Sequence, residues 1–134
     1  MPNLKAIVGI GEVEKAKLKD AGISSSEALL DAAASKGGRA ALAEKTGLSE
    51  KQILKWANNA DLVRIKGVGR QYSELLEVAG VDTVPELAHR KAENLMNKLT
   101  QVNEEKKLVK KLPTLQQVED WVSQASDLPR TLQY

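Results

Sequence analysis

Hydrophobic positions in this chain follow the spacing of helices rather than the alternation typical of strands. Ile53, Trp56 and Ala60 lie at positions i, i+3 and i+7, which is one face of a helix. Alternating runs of β-branched residues are missing, while Ala, Leu, Lys, Glu and Gln dominate. Only Lys5 to Ile10 and Leu62 to Val68 resemble strands, and both run into glycine. We therefore predict an all-α protein.

Capping residues and glycines divide the chain into eight predicted helices. Hydroxyl side chains open most of them, because their oxygens accept hydrogen bonds from the unpaired amides of a first helical turn. Glycine ends three of them, since it adopts the left-handed conformation after a helix. The predicted elements are Glu12 to Ala21 before Gly22, a short helix through Ala33 capped by Ser25 or Ser26, Lys36 to Thr46 between Ser35 and Gly47, Glu50 to about Leu62 after Ser49, Arg70 to Ala79 before Gly80, a short helix opened by a Thr83 and Glu86 capping box, Lys91 to about Leu108, and a helix from the Thr114 cap to about Asp127.

The chain also contains an internal repeat. Shifted by 58 positions, residues 7–29 fall on residues 65–87 with seven identities, three of which are glycine pairs. Random composition does not align glycines in this way. We interpret the chain as a single domain of two half-repeats, about 1–62 and 63–134, related by a pseudo-twofold axis.

A second match lies further along at an offset of 65 positions. It aligns the capping box Ser49 to Gln52 with Thr114 to Gln117, and Trp56 with Trp121. The change of offset means that the second copy carries seven extra residues, in or near Asn94 to Lys111.

Each half-repeat opens with a Gly-apolar-Gly turn followed by an amphipathic helix. We call residues 7–11 the first glycine turn and residues 65–69 the second glycine turn. Two glycines so close let the backbone turn tightly, with the apolar residue between them pointing inward as an anchor. The amides at the start of the following helix then point outward together, and they favour an anion such as a phosphate oxygen.

The residues Ile7-Val8-Gly9-Ile10-Gly11 and Ile65-Lys66-Gly67-Val68-Gly69, each followed by a helix that ends in Ala-Gly-Ile or Ala-Gly-Val, resemble the helix-hairpin-helix motif of DNA-binding proteins. With its connecting helices, nearly the whole chain is similar to a small bacterial family of tandem helix-hairpin-helix proteins of unknown function. The resemblance implies that turn amides hold phosphates of one strand across the minor groove without reading sequence, and that paired turns hold both strands. The phosphate-facing amides would then belong to Gly67, Gly69 and Arg70, and to Gly9, Gly11 and Glu12.

The two turns are not equally suited to a phosphate. Arg64, Lys66 and Arg70 surround the second turn, whereas Glu12 and Glu14 follow the first. A carboxylate at a helix N-terminus competes with a phosphate for the same amides. The resemblance also implies a small residue four positions after the second glycine, which Ser73 satisfies and Lys15 does not. The predicted phosphate site is therefore Arg64, Lys66, Gly67, Val68, Gly69 and Arg70, with Gly9, Ile10 and Gly11 as a weaker or purely structural counterpart.

Other candidate residues have a functional and a packing interpretation. Lys106, Lys107, Lys110 and Lys111 form an auxiliary basic stretch that attracts phosphates or, alternatively, complements a helix C-terminus. Trp56 and Trp121 are expected in the core rather than as stacking platforms for bases, and Tyr72 is expected to pack. His89 is expected to be a surface or capping residue.

Composition excludes several classes of function. The 134 residues include no Cys and a single His, which removes disulfides, thiolate metal sites and His-pair metal sites. No nucleophile–base set is present, so we expect neither an enzyme nor a cofactor. No apolar stretch is long enough for a membrane span, and Met1 to Lys5 does not begin a signal peptide, so we expect a cytoplasmic protein.

Two functions remain open. The first is a non-catalytic, sequence-independent module for double-stranded DNA, with few phosphate contacts because the net charge is only +2. The alternative is a protein-interaction or scaffold module that keeps the fold without binding nucleic acid. The first turn lacks a preceding helix and the last helix lacks a following turn, so we expect Thr114 to Asp127 to pack beside the first turn. This packing occurs either within one chain, which gives a monomer, or between chains, which gives a head-to-tail or swapped oligomer.

Overall fold

The computed structural model describes Leu4, Ile7 and residues 9–132 of the chain. All of its regular elements in these residues are helices, so the all-α prediction is confirmed. Met1 to Asn3, Lys5, Ala6 and Val8 fall outside this part, and with them most of the segment on which the signal-peptide argument rests. The helices are α1 (Glu12–Asp20), α2 (Ser26–Ala32), α3 (Lys36–Thr46), α4 (Glu50–Leu62), α5 (Arg70–Val78), α6 (Val84–Ala88), α7 (Ala92–Lys106) and α8 (Leu115–Asp127).

Helix starts follow the capping chemistry read from the sequence. The hydroxyls of Ser25, Ser35 and Thr114 each accept a hydrogen bond from the amide three residues ahead. Only Thr114 forms the full capping box, with Gln117 Oε1 accepting from the Thr114 amide at 2.8 Å. The boxes predicted at Ser49 and Thr83 are incomplete. Their hydroxyls cap the helix, but Gln52 turns to the Ser49 hydroxyl, and Glu86 pairs instead with Arg90 at 3.1 Å.

The glycines after α1 and α5 end these helices in the same way. Gly22 and Gly80 have φ of +86° and +97°. The amide of Ile23 donates to the Leu18 carbonyl at 2.9 Å, and that of Val81 to the Leu76 carbonyl at 2.8 Å. Both ends are Schellman motifs, which satisfy carbonyls that the helix leaves without partners.

The chain divides into two compact units. Unit 1 comprises Met1–Asp61 with Arg130–Tyr134, and unit 2 comprises Leu62–Pro129. Each unit has its own hydrophobic core. In unit 1 the core gathers α1 to α4 around residues that include Leu18, Leu29 and Ile53. In unit 2, α8 packs against α6 and α7, and α5 packs against α7.

Positions matched by the repeat occupy the cores of their own units. Leu18 and Leu76 are fully buried, as are Leu29 and Leu87. Trp56 is 3% exposed and Trp121 is 1% exposed. Both indoles are therefore core residues, as expected, and neither presents a face to a base.

The last helix has a partner within its own unit. Helix α8 packs against the second glycine turn of unit 2, with the indole of Trp121 beside Gly67. The sequence did not predict this pairing of a glycine turn with the tryptophan helix that follows it. In unit 1, Trp56 on α4 lies beside Gly9 in the same way.

None of the helices in the described residues is long and apolar enough to cross a membrane.

Candidate functional site

The second glycine turn is anchored by apolar side chains on either side of its glycines. Ile65 and Val68 are 1% and 4% exposed, whereas Lys66, Gly67 and Gly69 lie at the surface. The Val68 amide donates to the Ile65 carbonyl at 3.1 Å, and Gly67 has φ of +96°. A side chain is rarely tolerated in this left-handed conformation, so glycine is required for the chain to turn here.

Helix α8 holds the outer edge of this turn through one side chain. The Lys66 amide donates to Gln124 Oε1 at 2.9 Å, and Gln124 Nε2 donates to the Lys66 carbonyl at 3.2 Å. Both backbone polar groups of Lys66 are thereby paired, which fixes the turn while its ammonium group stays exposed. Gln124 was not predicted, although the first copy also has an amide side chain, Asn59, three residues after its tryptophan.

The N-terminus of α5 is not covered by a side chain. Its N-cap is Gly69, in an extended conformation with no side-chain capping bond. The first hydrogen bond of the helix runs from the Ser73 amide to the Gly69 carbonyl at 2.9 Å. The amides of the first turn, which precede Ser73, therefore have no acceptor within the helix. No heavy atom comes within 4 Å of a Cβ built on Gly69. The amides of Gly67, Gly69 and Arg70 have no protein acceptor among the described residues.

The predicted site residues thus separate into three roles. Lys66 and Arg70 are exposed cations beside the open helix end. Arg64 is half-buried, and its Nη2 donates to the Pro129 carbonyl at 2.9 Å, so part of its guanidinium ties the turn to the end of α8. Val68 is an internal anchor, because its side chain is buried and its amide is used within the turn.

The glycines of the first turn have backbone conformations similar to those of the second turn, but the surface around them differs. Gly9 has φ of +90°, and Gly11 is the extended N-cap of α1 without a side-chain capping bond. Here Glu14 folds back, with Oε2 3.1 Å from the position of a Cβ on Gly11. The end of α1 is therefore covered by its own carboxylate. Ile10 is half-buried, and Val8 lies outside the described residues.

At the position matching Glu14, the second copy has Tyr72, whose side chain leaves the helix end uncovered. The Tyr72 hydroxyl donates to the Lys111 carbonyl at 3.0 Å, and its ring centroid lies 5.3 Å from that of Trp121. Tyr72 is therefore a packing residue, as expected. Its hydroxyl also attaches the basic stretch to α5, a role that the sequence did not predict.

We call residues 107–114 the basic loop. Helix α7 ends two residues before the predicted Leu108, because Lys107 adopts a left-handed conformation and the Asn103 side chain binds the next part of the chain. Asn103 Nδ2 donates to the Val109 carbonyl at 3.1 Å, and the Val109 amide donates to Asn103 Oδ1 at 3.0 Å. Val109 and Pro113 are buried. The loop backbone is thus fixed, while Lys106, Lys107, Lys110 and Lys111 are all exposed.

This loop is where the second copy departs from the first. Eight residues, 107–114, connect α7 to α8, whereas three residues, 47–49, connect α3 to α4. The change of offset in the repeat was the signal for this difference. The longer connection contains three of the four lysines of the stretch.

Other candidates have ordinary structural roles. His89 is exposed and is the C-cap of α6, as expected. Among the described residues, no group of three or more His, Asp or Glu side chains is arranged to hold a metal ion. Unit 1 carries an open groove of about 640 Å³ lined mainly by small residues of α2 and α3 and by the end of α1.

These features define an all-α protein with two units, each built on a glycine turn packed against a tryptophan helix. The chain belongs to the family described as Domain of unknown function (DUF4332), whose model matches residues 8–128. Comparison with curated proteins and with solved structures found no match.

Proposed function

We propose that the protein is a non-catalytic, sequence-independent DNA-binding module that holds backbone phosphates at the second glycine turn. The observation that carries this proposal is the uncovered N-terminus of α5, flanked by the exposed cations Lys66 and Arg70. Converging amides and the positive helix end favour a phosphate oxygen. Backbone amides at a helix N-terminus bind phosphate oxygens, which carry no sequence information, so binding through them does not select a sequence.

The resemblance of both turns to helix-hairpin-helix motifs supports the same proposal. In this interpretation, α4 precedes and α5 follows the second turn along the chain, and Gln124 and Trp121 on α8 hold the backbone of the turn in place. The glycines of the first turn have similar backbone conformations, but Glu14 lies at its helix end. We therefore assign phosphate binding to the second turn and a structural role to the first.

The sharpest test replaces Gly69 with aspartate. Gly69 has an extended backbone with open space for a side chain, so the variant should fold. Aspartate is a favourable N-cap and stabilises α5 by roughly 0.5–1 kcal/mol, while its carboxylate takes the place of the phosphate. Gly69→Asp should therefore melt at or above the wild-type temperature yet lose binding. Gly11→Asp, at the matching position of the first turn, is the control and should bind like wild type.

Binding is measured by fluorescence anisotropy of a labelled duplex at two salt concentrations. We expect a dissociation constant of roughly micromolar order at low salt, weakening as salt rises. A Lys66→Glu/Arg70→Glu variant should also lose binding, since both side chains are exposed. Arg64 is left unchanged because its guanidinium is bonded to the Pro129 carbonyl. If wild type does not bind at low salt, or if Gly69→Asp binds normally, the proposal is wrong.

The groove in unit 1 favours a second candidate, a protein-interaction or scaffold module. Its lining of small apolar residues, with Asp31 and Lys45 also present, suits a packed peptide or helix rather than a polyanion. Ala41 lines the groove and is exposed, so Ala41→Glu should block such a partner without changing duplex binding. Light scattering of the purified protein distinguishes a monomer from a head-to-tail or swapped oligomer.

A further inference from the structure

We propose that the basic loop is a second phosphate contact, so that unit 2 alone forms a two-point contact with duplex DNA. This inference rests on the proposed function of the second glycine turn. The partner is a double-stranded polymer rather than a free phosphate or nucleotide, because the surface offers two separate sets of donors.

The basic loop has a fixed backbone and is not a loose charged segment. The Asn103 side chain binds both backbone polar groups of Val109, and Val109 is 7% exposed. Pro113 is buried and the Thr114 cap begins the next helix. The backbone is therefore ordered before any ligand arrives, which lowers the entropy cost of binding.

The basic loop is attached to α5, the helix that follows the second glycine turn. The Tyr72 hydroxyl donates to the Lys111 carbonyl at 3.0 Å. Tyr72 belongs to the first turn of α5, so the Lys111 carbonyl lies within one tyrosine side chain of that turn. A duplex presents a series of phosphates along each strand, so two separate sets of donors can each meet a phosphate of the same molecule.

The basic loop carries a concentrated positive charge. Residues 106–114 contain four lysines and no acidic residue. Within the part of the chain that the structure describes, Lys106, Lys107, Lys110 and Lys111 make no salt bridge. Unit 1 has no counterpart, since the matching connection is three residues long and carries no cation. The basic loop therefore accompanies the turn whose helix end is open and is missing beside the turn that Glu14 covers.

The burial of the aromatic side chains favours a duplex over a single strand as the partner. Proteins that bind single strands without sequence preference stack bases on aromatic side chains. Here Trp56 and Trp121 are buried, and Tyr72 packs against Trp121 with its hydroxyl bonded. No other aromatic residue lies in the described part of the chain. A surface of amides and lysines without an exposed ring suits the backbone of a duplex.

The experiment compares two triple variants with the same change of charge. Lys107→Gln/Lys110→Gln/Lys111→Gln removes the proposed contact, and Lys45→Gln/Lys51→Gln/Lys55→Gln removes three exposed lysines of unit 1. Anisotropy titrations of one duplex at several salt concentrations give the slope of log K against log salt. Each lost phosphate contact lowers that slope by about 0.9, so the loop variant should lose about 2 to 3 and the control should keep the wild-type slope.

The outcomes separate the two proposals. A reduced slope in the loop variant alone, with residual binding that Gly69→Asp abolishes, supports both. A wild-type slope in the loop variant, while Gly69→Asp loses binding, overturns the second contact and leaves the proposed function standing. Equal losses in the two triple variants overturn the second contact, because they reflect net charge only. Loss in the loop variant with normal binding by Gly69→Asp overturns the proposed function. A single strand of equal length bound as tightly as the duplex overturns the choice of partner.

Discussion

The indole nitrogen of Trp121 lies 3.0 Å from the position that a Cβ would take on Gly67. The corresponding distance from Trp56 to Gly9 is 3.5 Å. Both glycines have φ near +90°, and both turns therefore rest on a buried tryptophan of a later helix. The approach is closer than ordinary van der Waals contact only at the second turn.

Gly67→Ala should therefore destabilise the protein more than Gly9→Ala. Both substitutions place a side chain in the left-handed region, at a cost of about 1–2 kcal/mol. At Gly67, a further cost of about 1 kcal/mol or more arises because the new methyl group displaces the Trp121 ring. Urea unfolding followed by tryptophan fluorescence measures both. Equal losses at the two positions would show that the approach of Trp121 does not constrain the turn.

Replacing the adjacent glycines Gly37 and Gly38 of α3 with alanine should change the stability of the protein in opposite directions. A Cβ on Gly37 meets no atom within 4 Å, whereas a Cβ on Gly38 collides with the backbone carbonyl oxygen of Ala32. Gly37→Ala should be neutral or stabilise by up to about 1 kcal/mol, since alanine is the better helix former. Gly38→Ala should destabilise the protein by about 2 kcal/mol or more, because a backbone oxygen cannot avoid the new methyl group by changing rotamer. The pair is compared by thermal melting, and a Gly38→Ala variant as stable as Gly37→Ala would contradict this packing.

Local chemistry explains how much of the fold could be predicted. Helix α3 begins after Ser35 and ends at Gly47 because a cap and a left-handed glycine act within a few residues. The burial of Trp56 and Trp121 follows from helical periodicity in the same way. The position of α8 could not be predicted, because a repeat does not say whether a turn packs against the helix before it or the one after it.

The candidate site was only partly predictable for the same reason. Lys66, Gly69 and Arg70 are neighbours in sequence, so the turn could be recognised directly. The bond from Tyr72 to Lys111 joins residues 39 positions apart, and the bond from Lys66 to Gln124 joins residues 58 apart. No local pattern identifies such partners, although the matched amide side chains of Asn59 and Gln124 were a signal.

Leu132 should be required for the stability of unit 1. It is 2% exposed and belongs to the core of that unit. Leu132→Ala should cost about 2–4 kcal/mol, the range for a buried leucine. Leu128→Ala is the comparison, because Leu128 is half-buried against the core of unit 2 and should cost less. Hydrogen exchange then locates the loss, and unchanged protection of α1 and α4 in Leu132→Ala would contradict the assignment.

Removing the carboxylates from the first glycine turn should convert it into a phosphate site. Glu14 lies over Gly11 and Glu12 begins α1, so Glu12→Gln/Glu14→Gln uncovers a helix end whose backbone matches that of the second turn. Duplex binding should tighten by about fivefold at low salt, in line with roughly 1 kcal/mol for charge at a helix end. Stability should fall by about 0.5 kcal/mol, since the carboxylates also favour the N-terminus of α1. Glu27→Gln/Glu44→Gln, which removes two exposed carboxylates elsewhere in unit 1, is the charge-matched control. Tighter binding in both variants alike would mean that net charge, and not the opened turn, attracts the duplex.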